Sequence, residues 1–122
     1  MKKILVAEDD KFLASAYQVK LTKAGFDVTV VSDGNEVLTF LKNTIPDVIL
    51  LDLVMPVKDC YSTLKEIKEH KDYISIPVII ASNLGQSEDI AKGMKLGAVD
   101  YIVKSDTSLD ELIKKIETHI KG

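Results

Sequence analysis

Three apolar runs, I-L-V-A at 4–7, V-I-L-L at 48–51 and V-I-I-A at 78–81, pass through the chain without a polar residue at alternate positions. A strand of that kind is buried on both faces, which calls for a parallel sheet covered by helices on each side. With two further β-rich runs, the predicted strands are Lys3–Ala7, Asp27–Val31, Val48–Leu51, Ile76–Ala81 and Val99–Val103.

Helical spacing fills the intervals. Leu13, Ala16, Tyr17, Leu21 and Ala24 recur at i, i+3, i+4, as do Leu109, Leu112, Ile113, Ile116 and Ile120, each set forming one buried stripe. Asp10 suits the cap of the first helix, Asp33 with Glu36 and Ser108 with Glu111 have the spacing of capping boxes, and Gly25 and Gly97 suit helix ends. Five strand–helix alternations with short connections and right-handed crossovers make a three-layer α/β sandwich. Strand order does not follow from this pattern.

A chain of 122 residues without a linker, repeat or low-complexity segment reads as one domain, 1–122. No apolar run approaches the roughly 18 residues of a membrane span, and Met1-Lys2-Lys3 leads straight into a strand, so a cytoplasmic protein with no membrane contact is expected. Cys60 is the lone cysteine, which rules out an internal disulfide. The net charge is -3 and every basic residue is lysine. Arginine is the usual bidentate reader of phosphate and guanine, so its absence argues against direct nucleic-acid recognition.

Polar groups gather where the apolar runs stop. Glu8-Asp9-Asp10 follow the first, Asp52 the third, Ser82 the fourth and Lys104 the fifth. In an open parallel sheet these positions lie along one edge, outside the carboxyl ends of the strands, where ligands bind. A single site needs strands one and three to be neighbours. Two carboxylates held about 4 Å apart repel by about 4 kcal/mol at an effective dielectric of about 20, so Glu8, Asp9 and Asp52 together call for a cation. Oxygen ligands without histidine or cysteine favour Mg²⁺. The ion can neutralise a phosphoryl group approaching a carboxylate nucleophile, with an ammonium and a hydroxyl on its other oxygens. Lys104 and Ser82 supply these, and Asp52, at the end of a buried strand, suits the nucleophile.

The ordered set E-D-D at 8–10, D-L-V-M-P at 52–56 with Asp59 beyond, Ser82, and G-A-V-D-Y-I-V-K at 97–104 resembles the receiver domain of two-component response regulators over essentially the whole chain. That resemblance implies a flavodoxin-like, five-stranded parallel sheet of order 2-1-3-4-5 with five helices, an order for which a chemotaxis receiver is a standard example. It implies Asp52 as phosphoacceptor and Asp9 as direct Mg²⁺ ligand. Glu8 would be a ligand through water, and the backbone carbonyl of Val54 would complete the shell. Lys104 would pair with the phosphoryl group, Ser82 would follow it as switch hydroxyl, the backbone N–H of Asn83 would support it, and Tyr101 would change rotamer in response. The implied partners are a histidine kinase or histidine phosphotransfer protein as donor, and an unknown downstream protein at the helix 4, strand 5, helix 5 face. A homodimer through helices 4 and 5 is a further implied consequence of phosphorylation. Such a receiver modifies itself and is a switch, not a turnover enzyme.

Five positions depart from the family pattern. Ser105 stands where proline usually follows the lysine. A cis bond before a non-proline residue costs about 2.5–4 kcal/mol, so the Lys104–Ser105 bond is expected to be trans. Cys60 replaces a turn glycine and Asn83 a smaller residue. Val54 and Leu84 are apolar where polar side chains could orient water, which predicts a long-lived aspartyl-phosphate.

Three other functions compete. An aspartyl-nucleophile phosphatase usually needs a second aspartate at the Val54 position. A flavin binder needs a glycine- and hydroxyl-rich loop after strand one in place of three acids. A phosphorylation-independent scaffold would not require the complete residue set. His70 and His119 are expected as surface residues near helix ends.

Overall fold

A computed structural model describes residues 2–52, 60–82, 87–104 and 107–120. In chain order the elements are β1 (Lys3–Ala7), α1 (Lys11–Lys23), β2 (Asp27–Val31), α2 (Gly34–Leu41), β3 (Val48–Asp52), α3 (Cys60–Glu69), β4 (Val78–Ser82), α4 (Ser87–Lys95), β5 (Asp100–Val103) and α5 (Leu109–His119). All strand pairs are parallel and the order is β2-β1-β3-β4-β5, so β1 and β3 are neighbours.

The sheet divides the interior into two cores, as side chains alternate between faces along each strand. Leu5, Ala7, Ile49, Leu51, Val78 and Ile80 face α2 and α3 with Val37, Leu41, Leu64 and Ile67. Ile4, Val6, Leu50, Ile79, Ala81 and Ile102 face α1 and α5 with Tyr17, Leu21, Leu112 and Ile116. All five residues of β3 and all five of β4 are buried, which is what their lack of alternation requires.

Local signals act as read. The Asp10 carboxylate accepts from the N–H groups of Phe12 and Leu13 at 2.9 and 3.2 Å. Ser108 and Glu111 form a reciprocal capping box. At α2 the pattern is shifted by one residue: Asp33 accepts from Glu36 N–H, but the Glu36 carboxylate takes the N–H of Ser32. Gly25 and Gly97 end α1 and α4 with φ of 98° and 114°, a region where a Cβ is strained. Ala24, assigned from sequence to the buried stripe of α1, is an exposed C-cap instead.

β4 begins two residues later than its apolar run. The N–H of Ile76 closes a turn onto Tyr73 O at 3.0 Å, and Pro77 has no N–H to offer a ladder. Lys68 secures this approach by donating to Ile74 O at 3.0 Å and Ile76 O at 2.7 Å. His70 lies exposed after α3, stacked on Tyr73. His119, at the end of α5, is instead partly buried against Asp100 at 3.2 Å. Cys60 opens α3 and is fully buried. Among the described residues, no helix is long and apolar enough to cross a membrane.

Candidate functional site

Strands that stop in register present their last residues at one level. Ala7 pairs with Leu51, Asp52 with Ala81 and Ser82 with Val103, so Glu8, Asp52, Ser82 and Lys104 emerge along one sheet edge. Glu8 and Asp52 are 3% and 8% exposed, whereas Asp9 is on the surface.

Lys104 joins the two buried acids. Its Nζ lies 2.5 Å from Glu8 Oε1 and 3.1 Å from Asp52 Oδ1. To reach them from the edge strand it must cross the C-terminal end of β4, where the side chain on that face is the small one of Ala81. The other oxygen of Glu8 accepts from Asp10 N–H at 3.2 Å, and Glu8 N–H donates to Val31 O at 3.0 Å. Glu8 is thus held from its backbone to both carboxylate oxygens. A small cavity of about 200 Å³ between α1 and α5 adjoins the ammonium, lined mainly by Leu13, Tyr17, Ile102 and Leu112.

The electrostatics follow from this burial. Loss of solvent raises the Asp52 carboxyl to about 6; Lys104 opposes the rise and Glu8 adds to it. Burial pulls the Lys104 ammonium down, but the Glu8 hydrogen bond and the Asp52 charge outweigh it and the net shift is upward. Burial also raises the Tyr17 phenol, although Lys104 draws it down. An ammonium shared by two buried carboxylates leaves an excess of negative charge, and Asp9 increases it.

The residues fit a hard cation. Carboxylate oxygens of Glu8, Asp9 and Asp52 all lie within 4.8 Å of one another. A purely oxygen donor set of this kind suits Mg²⁺, which keeps several waters and takes only one or two carboxylates. Val54, whose carbonyl was expected in the shell, is outside the described residues, as are Asn83, Leu84, Asp59 and the Lys104–Ser105 bond.

Ser82 belongs to the opposite face. It shares the orientation of Ile80 and Tyr101, and its side chain hydrogen-bonds the Tyr101 hydroxyl. Burial raises the Tyr101 phenol and the Ser82 bond partly offsets that. The structure therefore separates a charged trio, Glu8, Asp52 and Lys104, from a hydroxyl pair, Ser82 and Tyr101, at the same sheet edge.

Sequence reasoning placed the trio but did not foresee that Glu8 grips Lys104 more closely than Asp52 does. Nor did it find Tyr17, whose only signal was a hydroxyl-bearing aromatic on a buried helical stripe. A larger cavity, about 640 Å³, lies at the other end of the sheet beside Ile76, Pro77 and Val99. Its Lys68 and His119 are already engaged with Ile74 O, Ile76 O and Asp100, so it offers no comparable chemistry.

Residues 4–117 match the family described as "Response regulator receiver domain". A probable transcriptional regulator of Guillardia theta is 35% identical over 103 residues, 84% of this chain and 39% of that protein. The chain spans 39–50% of the length of the curated relatives it matches. Among solved structures, the receiver domain of Francisella response regulator 1452 is 38% identical, with a TM-score of 0.90 over 98% of this chain and 97% of that one. The receiver domain of sensor histidine kinase PA1611 from Pseudomonas aeruginosa is 27% identical, with a TM-score of 0.89 over 98% and 97% of the two chains. Its structure is described as having a magnesium ion coordinated in the active site cleft.

Proposed function

Since the chain belongs to the response regulator receiver family of two-component systems, we propose that residues 1–122 form a phosphoacceptor switch in which Asp52 is the modified residue. The observation that carries this reading is the convergence of Lys104 Nζ on Asp52 Oδ1 and Glu8 Oε1 beside Asp9. An ammonium already within hydrogen-bond reach of the acceptor oxygen is placed to follow a phosphoryl group attached there.

In the reaction, a carboxylate oxygen of Asp52 attacks phosphorus of a phosphohistidine on a histidine kinase or phosphotransfer protein. The P–N bond breaks, its electron pair returns to the imidazole, and an acyl phosphate remains on Asp52. Lys104 moves its contact from Asp52 to a phosphoryl oxygen while keeping Glu8. Asp9 and Asp52 would hold Mg²⁺ directly and Glu8 through water, with the Val54 carbonyl completing the shell. When bound, the cation supplies positive charge that keeps Asp52 ionised and neutralises the phosphoryl oxygens.

Ser82 exchanges Tyr101 for the phosphoryl group, supported by the N–H of Asn83. Tyr101 then repositions and alters the α4, β5, α5 face that a downstream protein, or a second copy of this chain, would read. The domain works in the cytoplasm, contacts no nucleic acid itself and does not turn over a substrate.

Intact-mass spectrometry after incubation with acetyl phosphate and Mg²⁺ tests this. One phosphoryl group should be gained by the wild type and by none of three controls: Asp52→Asn, Asp9→Asn, or wild type in EDTA. A wild-type mass without that gain would refute the assignment.

A further inference from the structure

Among the described residues, an aromatic side chain of α3 fastens helix α4. The hydroxyl of Tyr61, in the first turn of α3, donates to the backbone carbonyl of Asp89 at 3.3 Å. Over the same ring, Lys92 Nζ lies 4.2 Å from the centroid, a cation–π distance. Two residues of α4 therefore close on opposite parts of one side chain from α3.

The fastening falls on the turn of α4 that lies beside the Tyr101 ring. Asp89 is four residues before Gly93, so its carbonyl and the Gly93 N–H lie on the same helical turn. Gly93 sits so close to the sheet that a Cβ there would lie 2.5 Å from Ile80 Cδ1 and 3.6 Å from the Tyr101 ring. The Tyr101 ring therefore packs beside this turn of α4. Tyr61, for its part, lies in the first turn of α3, the next helix after Asp52 in the chain.

We propose that Tyr61 is a latch that holds α4 down over Tyr101 and so biases the protein toward the arrangement in which Ser82 bonds Tyr101. This rests on Asp52 being the phosphoacceptor. When Ser82 leaves Tyr101 for a phosphoryl group, α4 must yield, and the Tyr61 contacts to Asp89 and Lys92 oppose that movement. Because coupling between two sites is reciprocal, weakening the latch strengthens binding of a phosphoryl mimic at Asp52.

The test uses Tyr61→Phe, which keeps the ring, and Lys92→Gln, which keeps a long side chain, with two measurements on each. Hydrogen exchange of α4 amides is read first, without phosphoryl mimic. A lost hydrogen bond of ordinary net strength should accelerate α4 exchange by about 3- to 10-fold in Tyr61→Phe while α1 is unchanged, with a smaller acceleration in Lys92→Gln. The affinity for beryllofluoride with Mg²⁺ is read second, and should tighten by about the same factor.

Exchange in α4 equal to wild type would overturn the latch. Faster exchange with unchanged or weaker beryllofluoride binding would overturn its coupling to the acceptor. If the wild type binds no beryllofluoride while α4 of Tyr61→Phe still loosens, it is the acceptor assignment that fails, and the coupling with it. An α1 that also exchanges faster would mark general destabilisation and overturn the assignment of a specific latch.

Discussion

Replacing Asp52 by asparagine should stabilise the protein when no divalent ion is present. Burial raises this carboxyl from 3.8 to about 6 even with Lys104 beside it, so the folded protein binds the proton more tightly than the unfolded chain does. Stability is then lost as pH rises from about 4 to about 6, and the deficit is constant above that. A shift of about 2 units, at about 1.4 kcal/mol per unit, makes the deficit about 3 kcal/mol.

Asparagine matches the shape of the protonated acid and carries no charge, and Lys104 retains Glu8. In EDTA at pH 7.5, Asp52→Asn should therefore melt higher by about 12 °C, taking about 4 °C per kcal/mol for a chain of this size. At pH 4 the two proteins should melt together. Circular dichroism melts from pH 4 to 8 measure this. Adding Mg²⁺ should narrow the gap at neutral pH, because the ion stabilises only the protein that retains all its carboxylates. A variant less stable than wild type at pH 7.5, or a difference independent of pH, would show that burial does not dominate at Asp52.

Lys104→Met removes the ammonium that two buried acids share. It should destabilise the metal-free protein by about 3–5 kcal/mol in urea unfolding, with partial recovery in Mg²⁺. Gly97→Ala places a Cβ at a φ of 114° and 2.8 Å from Lys68 Cγ, and should cost about 1–3 kcal/mol by the same measurement. Ser108→Ala breaks the capping box of α5 and should cost about 1 kcal/mol, seen as faster exchange of the N–H groups in its first turn.

What the sequence made visible were features whose physics is local or repetitive. Runs buried on both faces specified β1, β3 and β4, and the caps at Asp10 and Ser108 required only a short polar side chain before a helical stripe. Because each strand ends within a residue of its apolar run, Asp52 could be placed at the sheet edge. Less was visible where a side chain chooses between distant partners. Lys104 could have pointed to Asp52 alone. Its closer contact with Glu8 depends on the crossing over Ala81, a property of strand order that the alternation pattern does not encode. The start of β4 was misplaced because apolarity continues through Ile76 and Pro77 while hydrogen bonding does not. The Tyr61 contact to α4 joins two helices through a carbonyl, which leaves no trace in residue type.

The division of the interior into two cores has a consequence for how such a chain can change over time. Glu8, Asp52 and Lys104 lie on the side of α1 and α5, while Ser82, Tyr101 and Tyr61 lie on the side of α2, α3 and α4. A partition one strand thick thus separates the half that handles charge from the half that reports it. Substitutions that retune the reporting half replace none of the three charged groups and reach them only through the coupling between the halves. The same chemistry can therefore be inherited intact while the message sent to a partner is rewritten.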